Sequence, residues 1–220
     1  MSDDPFASRV ADYDAWYDSR EGREIFRVEA DCLVPLVSSC APPRLEVGVG
    51  TGRFAQALGL EVGVDRALAP LALARARGLR VIAGDAHALP LGESCVGAVV
   101  FVMTWCFLTH PRRALAEARR VLRPDGRLVI GTVPLDSPWG EAYARAGREG
   151  HPFYRHAHLR SQRDLVATLE SEGWEIRASR SALCDAPGTS PHSGPRDGLV
   201  EGAGFVALAA RPRGAGREGE

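Results

Sequence analysis

The chain has 220 residues, 45% hydrophobic and 25% charged, with a formal net charge of −1 at pH 7; this composition suits one globular domain with a sizeable core. The charge balance argues against the basic surface that nucleic acid or an acidic membrane requires. Apolar runs such as GAVVFVM fall far short of the ~20 residues that span a bilayer.

MSDDPFASRV has neither the positive flank nor the apolar core of a signal peptide, so the expectation is a cytoplasmic protein without a nucleic-acid or membrane partner. Residues 5–37 read as helical. Tyr13, Trp16 and Tyr17 fall at i, i+3 and i+4, Gly22 interrupts, and Ile25, Phe26, Ala30, Leu33 and Leu36 restore a helical stripe. CAPP at 40–43 is punctuation. From Arg44 the pattern alternates, and strands are expected near 44–48, 60–64, 80–83, 96–102, 127–132, 175–182 and 203–210. Helices fit near 52–58, 67–77, 111–122 and 161–172, the third with Pro near its start and RPDG at its stop. Strands alternating with helices imply crossover units and a mostly parallel sheet. The last two strands follow each other with no helical period between them, which predicts an antiparallel pair at the sheet edge. The polar, glycine-rich segment 212–220 is expected to be a disordered tail. Five scattered cysteines without Cys-x-x-Cys argue against a disulfide framework or a zinc site.

The run LEVGVGTGRFA, residues 45–55, places Gly48, Gly50 and Gly52 where the first strand turns into a helix. Glycine there permits positive φ and close approach of a ligand to the main chain, at the usual binding crevice of a parallel sheet. A dinucleotide fingerprint needs a third glycine at position 53, which is arginine. LEVGVDRA then ends a strand at Asp65, and VIAGDAHALPL puts Gly84, Asp85 and Ala86 after the next. Asp65 also suits a helix N-cap.

Glu46 with G-x-G-x-G, Asp65, the GDA…LP segment and AVVFVMTWCFLTHPRRALAEARRVLRPDGRLVIGTV together resemble the class I S-adenosylmethionine-dependent methyltransferases. The likeness is to the small-molecule branch typified by ubiquinone and menaquinone biosynthesis, close over 44–132 and loose over 160–210. Val96-Gly97 departs from the Phe-Asp of many relatives. The resemblance implies an α/β, Rossmann-like three-layer sandwich with a seven-stranded, mostly parallel sheet and an antiparallel last strand. It further implies an N-terminal helical lid over 1–43 and a methyltransferase domain over 44–211. S-adenosylmethionine would be held by Glu46, Gly48, Gly50, Gly52, Asp65, Asp85 and Ala86, with Tyr13 as cover. Glu46 would serve the amino-acid end of the donor directly or by ordering the loop, Asp65 the ribose and Asp85 the adenine amine.

Methyl transfer from a sulfonium is an in-line displacement that needs alignment and a dry site, and no metal. His151, His156 and His158 fit no standard zinc spacing; His151, Tyr154 and His156 are candidates for a general base where the substrate must lose a proton. Trp16, Trp105, Phe107, Trp139, Phe153 and Tyr154 are candidate walls of an acceptor pocket suited to a small apolar or cationic molecule. Packing of the lid onto the sheet is the competing role for Trp16 and Trp105. Cys106 reads as a small core residue rather than a thiol for soft acceptors. The function expected is methyl transfer to a small molecule by a monomer or homodimer. A non-catalytic module binding the same donor is the alternative, and a nicotinamide-dependent oxidoreductase is disfavoured by Arg53.

Overall fold

In the computed structural model, which describes residues 5–190 and 192–214, the alternating segments become one eight-stranded sheet. Its strands are β1 (Arg44–Val47), β2 (Val62–Asp65), β3 (Arg80–Ala83), β4 (Val96–Val102), β5 (Leu122–Thr132), β6 (Trp174–Ala182), β7 (Arg196–Asp197) and β8 (Phe205–Pro212). Their spatial order is β3-β2-β1-β4-β5-β8-β6-β7. Strands β1 to β5 pair in parallel, whereas β8 runs antiparallel to both β5 and β6.

The expected seven strands are corrected to eight. The addition, β7, has two exposed residues and no apolar pattern for periodicity to detect. It is held to β6 by an Arg180–Asp197 ion pair at 2.9 Å and by the Ser181 hydroxyl donating to Gly198 O at 2.9 Å. The last strand is also not at the rim: β8 lies between β5 and β6, which is why its first six residues are all buried. RPDG does not precede the fifth strand but bulges within it, since Val96 pairs with Leu122 and Ala98 with Arg127. The tail boundary expected at 212 falls in β8, which Pro212 closes; residues 215–220 lie outside the described residues.

Among the described residues eight α-helices accompany the sheet: α1 (Pro5–Ser8), α2 (Val10–Trp16), α3 (Arg20–Val37), α4 (Arg53–Ala57), α5 (Leu68–Ala76), α6 (Pro111–Val121), α7 (Pro138–Arg148) and α8 (Gln162–Ser171). Strand periodicity sends alternate side chains to two cores. Ala98, Val100 and Val102 of β4 share one core with Ile25 and Leu33 of α3, Phe54 of α4 and Leu71 of α5. Val99 and Phe101 share the other with Leu115 of α6 and Leu165 of α8. All seven residues of β4 are buried, as befits a central parallel strand covered on both sides.

The N-terminal break falls at 17–19, not at Gly22. Ser19 caps α3, its Oγ accepting from Gly22 N at 2.9 Å, and a Cβ on Gly22 would lie 2.1 Å from Trp16 O. Glycine therefore lets α2 end against the first turn of α3. Helix α7 was not anticipated, although Ser137 as N-cap and Pro138 in its first turn are ordinary start signals. Among the described residues no helix is long and apolar enough to cross a membrane.

Candidate cofactor and acceptor site

The carboxyl ends of β1 to β4 open on one cavity of about 510 Å³, within the usual range for small-molecule sites. After β1, Gly48 N and Val49 N both donate to Val64 O, at 2.7 and 3.1 Å, folding the loop over the tip of β2. Gly48 and Gly50 adopt φ of +74° and +51°, which L side chains rarely accept. A Cβ on Gly48 would lie 2.3 Å from Thr104 Oγ1, while one on Gly50 would meet nothing within 4 Å. Gly48 therefore serves close packing of the loop on the end of β4, and Gly50 leaves bare backbone facing open space. Both line the cavity. Gly52 is not on its wall: it caps α4, and a Cβ there would lie 2.7 Å from Leu79 Cδ1.

Asp65 and Asp85 sit on the same cavity, with Ala86. Asp65 Oδ2 accepts from Gly50 N at 2.8 Å and Oδ1 from Ala67 N at 2.9 Å, so the carboxylate pins the glycine loop to the start of the next helix. The N-cap of α5 is Ala67, not Asp65. Asp85 Oδ1 accepts from His87 N at 2.8 Å and lies 2.6 Å from His87 Nδ1. The donated His87 N–H chiefly holds the Asp85 pKa below its ordinary value, against a smaller opposing effect of burial. Glu46 is buried behind the loop and does not line the cavity. Burial drives its pKa well up, opposed by the Ala55 N–H and reinforced by Asp65. Its Oε2 has no hydrogen-bond partner among the described residues. Glu46 therefore lies beneath the glycine loop and off the cavity wall.

The far end of the cavity is apolar. Pro5, Phe6, Val10 and Tyr13 from the N-terminal helices meet Met103 and Phe107 from the end of β4. Met103 has φ of +55°, a strained conformation for a residue with a side chain, of the kind that clusters at binding sites. Phe6 packs against Phe107, Phe153 and Tyr13 at ring-centroid distances of 5.0, 5.2 and 5.7 Å. Phe6 was missed because it lies outside the helical aromatic triplet.

Three tryptophans expected on this wall are elsewhere. Trp105 is 1% exposed and packs in the α6 and α8 core. In a one-turn 3-10 helix, residues two apart point about 120° from one another, so Trp105 turns away from the cavity where Phe107 faces it. Trp139 is buried, donating from Nε1 to Asp185 O at 2.8 Å. Trp16 is 40% exposed, off the cavity. Phe153 reaches the cavity only through Phe6 and Tyr13. Tyr154 stacks between Tyr143 and His151, at 4.3 and 4.5 Å. His156 and His158 line the cavity, and His151 does not; burial lowers the His151 pKa.

Arg53, at the position that breaks the dinucleotide fingerprint, joins α4 to the N-terminal helices. Its guanidinium donates to both carboxylate oxygens of Asp14, at 2.9 and 2.8 Å, and reaches Asp18. Arg77 donates to Asp14 Oδ2 at 2.9 Å and to Thr51 O at 2.6 Å. Asp14 of α2 is thus tied to the glycine loop through two arginines. Burial would raise its pKa, but hydrogen bonds from Arg53 and Arg77 hold it well below the usual range.

The donor set fits S-adenosylmethionine: bare backbone at Gly50, two carboxylates at successive strand tips, and an apolar end beside Met103. Comparison with known proteins agrees. Residues 45–130 match the methyltransferase domain family. An uncharacterized protein from Mycobacterium tuberculosis is 42% identical over 203 residues, covering 91% of this chain and 71% of that one. An uncharacterized methyltransferase from the same species is 34% identical over 157 residues, covering 67% of this chain and 60% of that one. A crystal structure from Thermotoga maritima, described as a SAM-dependent methyltransferase and possible histamine N-methyltransferase, superposes with a TM-score of 0.84 at 30% identity, covering 94% of this chain and 98% of that one. The chain therefore belongs to the S-adenosylmethionine-dependent methyltransferases of Rossmann-like fold.

Proposed function

We propose that the chain methylates a small-molecule acceptor, with the donor along the strand tips and the acceptor at the apolar end. The observation that carries this reading is the single cavity onto which Gly50, Asp65, Asp85 and the rings of Phe6, Tyr13 and Phe107 all open. Asp65 would accept from the ribose hydroxyls, a task that suits a carboxylate because it is acceptor-only. Asp85 and Ala86 would bracket the adenine, and Glu46 would set the loop from behind. When bound, the donor supplies a methyl group activated by its own sulfonium, so the protein's part is alignment and exclusion of water. Residues 1–43 would act as a lid, with Tyr13 as its cover. Motif order over 44–132 supports kinship with the ubiquinone and menaquinone branch in the donor half. The description of the Thermotoga relative supports a small amine as acceptor. His156, on the cavity wall, is better placed than His151 or Tyr154 to take a proton.

The test is a calorimetric titration with S-adenosylhomocysteine on the wild type and Asp65→Ala. Loss of a charge-assisted pair of hydrogen bonds should cost about 1.5–3 kcal/mol, roughly tenfold to a hundredfold in affinity. Unchanged affinity in the variant would remove Asp65 from the donor site. Absence of binding by the wild type would remove the donor reading altogether.

A further inference from the structure

The two aspartates at the strand tips differ in what holds them. Asp65 is fixed by two backbone N–H groups, whereas the Asp85 side chain is 60% exposed and would exchange among rotamers if nothing bound it. One imidazole prevents that. The His87 ring, 18% exposed, places Nδ1 2.6 Å from Asp85 Oδ1, and the same oxygen accepts from His87 N at 2.8 Å. Both contacts fall on Oδ1, and Oδ2 takes no hydrogen bond among the described residues. Asp85 and His87 both line the large cavity.

The far side of the ring sets its tautomer. His110 N donates to His87 Nε2 at 3.4 Å. A backbone N–H can only donate, so Nε2 carries the lone pair and Nδ1 the hydrogen that Asp85 accepts. His110 is the N-cap of α6, and the two imidazoles meet edge to face with centroids 5.8 Å apart. The same helix grips the chain just beyond His87. Glu117 accepts from Leu89 N at 2.7 Å, and Arg120 donates to Leu89 O and Leu91 O at 3.0 and 2.8 Å. His87 thus ties the exposed carboxylate to a segment that α6 already holds.

Resting on the donor reading above, in which Asp85 meets the adenine, we infer that His87 is a positioning and specificity-determining residue. It occupies Asp85 Oδ1 and so leaves Oδ2 as the acceptor for the exocyclic amine of the donor's purine. A carboxylate oxygen with free lone pairs accepts from an amine and repels an oxo group in the same place, because both oxygens are then acceptors. The ligand class selected is therefore an aminopurine nucleoside over its oxopurine counterpart.

The experiment is a calorimetric titration of the full chain with S-adenosylhomocysteine and with S-inosylhomocysteine, which carries an oxo group where adenine has its amine. The wild type should prefer the amine by roughly tenfold to a hundredfold. His87→Ala should bring that preference below about threefold, whereas a merely structural loss would weaken both ligands equally and leave the ratio alone. Asparagine can place its amide nitrogen where Nδ1 lies, and glutamine reaches instead towards the position of Nε2. His87→Asn should therefore keep the preference and His87→Gln lose it, and this pair carries the test if His87→Ala fails to fold. An unchanged ratio in His87→Ala, or a preference kept by His87→Gln and lost by His87→Asn, would overturn the inference and leave the donor reading intact. Equal affinity of the wild type for the two ligands would overturn it together with the adenine role of Asp85. Absence of S-adenosylhomocysteine binding by the wild type would overturn the donor reading itself.

Discussion

At the residue scale, two carboxylates differ in what their surroundings do to them. Asp65 is met by backbone N–H groups at 2.8 and 2.9 Å, and Glu29 by none. Burial alone pushes the Glu29 pKa from 4.5 up to about 8. The folded chain then keeps a proton that the unfolded chain has released, so folding becomes less favourable as pH rises from 4.5 towards about 8 and levels above that. The slope is at most roughly 1.4 kcal/mol per pH unit. Melting curves of the wild type and Glu29→Gln across this window should diverge, the variant gaining relative Tm as pH rises. Parallel curves would mean that Glu29 is hydrated and ionised in the folded chain. The G-x-G-x-G loop divides its labour similarly: Gly48 packs, Gly50 presents bare backbone and Gly52 caps α4.

At the element scale, α2 is held to the glycine loop by Asp14. The Arg53–Asp14 and Arg77–Asp14 pairs are 15–20% exposed, so they are screened less than surface pairs. Asp14→Asn leaves two arginines short of a charge and should loosen α2 over the cavity. The expected result is faster dissociation of S-adenosylhomocysteine, by about tenfold, in stopped-flow displacement. An unchanged off-rate would show that α2 does not gate release. Helix α7 contributes Trp139 to one core and Tyr143 to a ring stack with Tyr154. Its start signals stood in the sequence, but the aromatic residues there also fit a pocket-lining loop, and only packing separates the two.

At the scale of the whole molecule, insertion of β8 between β5 and β6 joins the C-terminal strands to the parallel half. Phe205 at the start of β8 is fully buried and lies against Gly131 of β5. Phe205→Ala should cost about 3–5 kcal/mol in a single denaturant transition. A biphasic transition would mean that the β6–β8 region unfolds separately. The Thermotoga superposition over 94% of this chain shows the same architecture built from a sequence only 30% identical, as expected when hydrophobic pattern rather than residue identity sets the layers.

The sequence by itself determined the order and type of most elements, the glycine loop and the two aspartates at the strand tips. These are local facts: periodicity marks a strand, and the carboxyl ends of parallel strands converge on one edge whatever fills the core. Only the tertiary structure decided which side chains reach the cavity. Trp105 and Phe107 differ by two positions, yet Trp105 joins the core with α6 and α8 while Phe107 lines the cavity. Glu29 lies in a charge-rich segment, REIFRVEAD, yet it is buried. Arg53 read as a departure from a glycine motif and is the clasp on α2. Burial and side-chain direction arise from contacts between elements distant along the chain, and no local period encodes them.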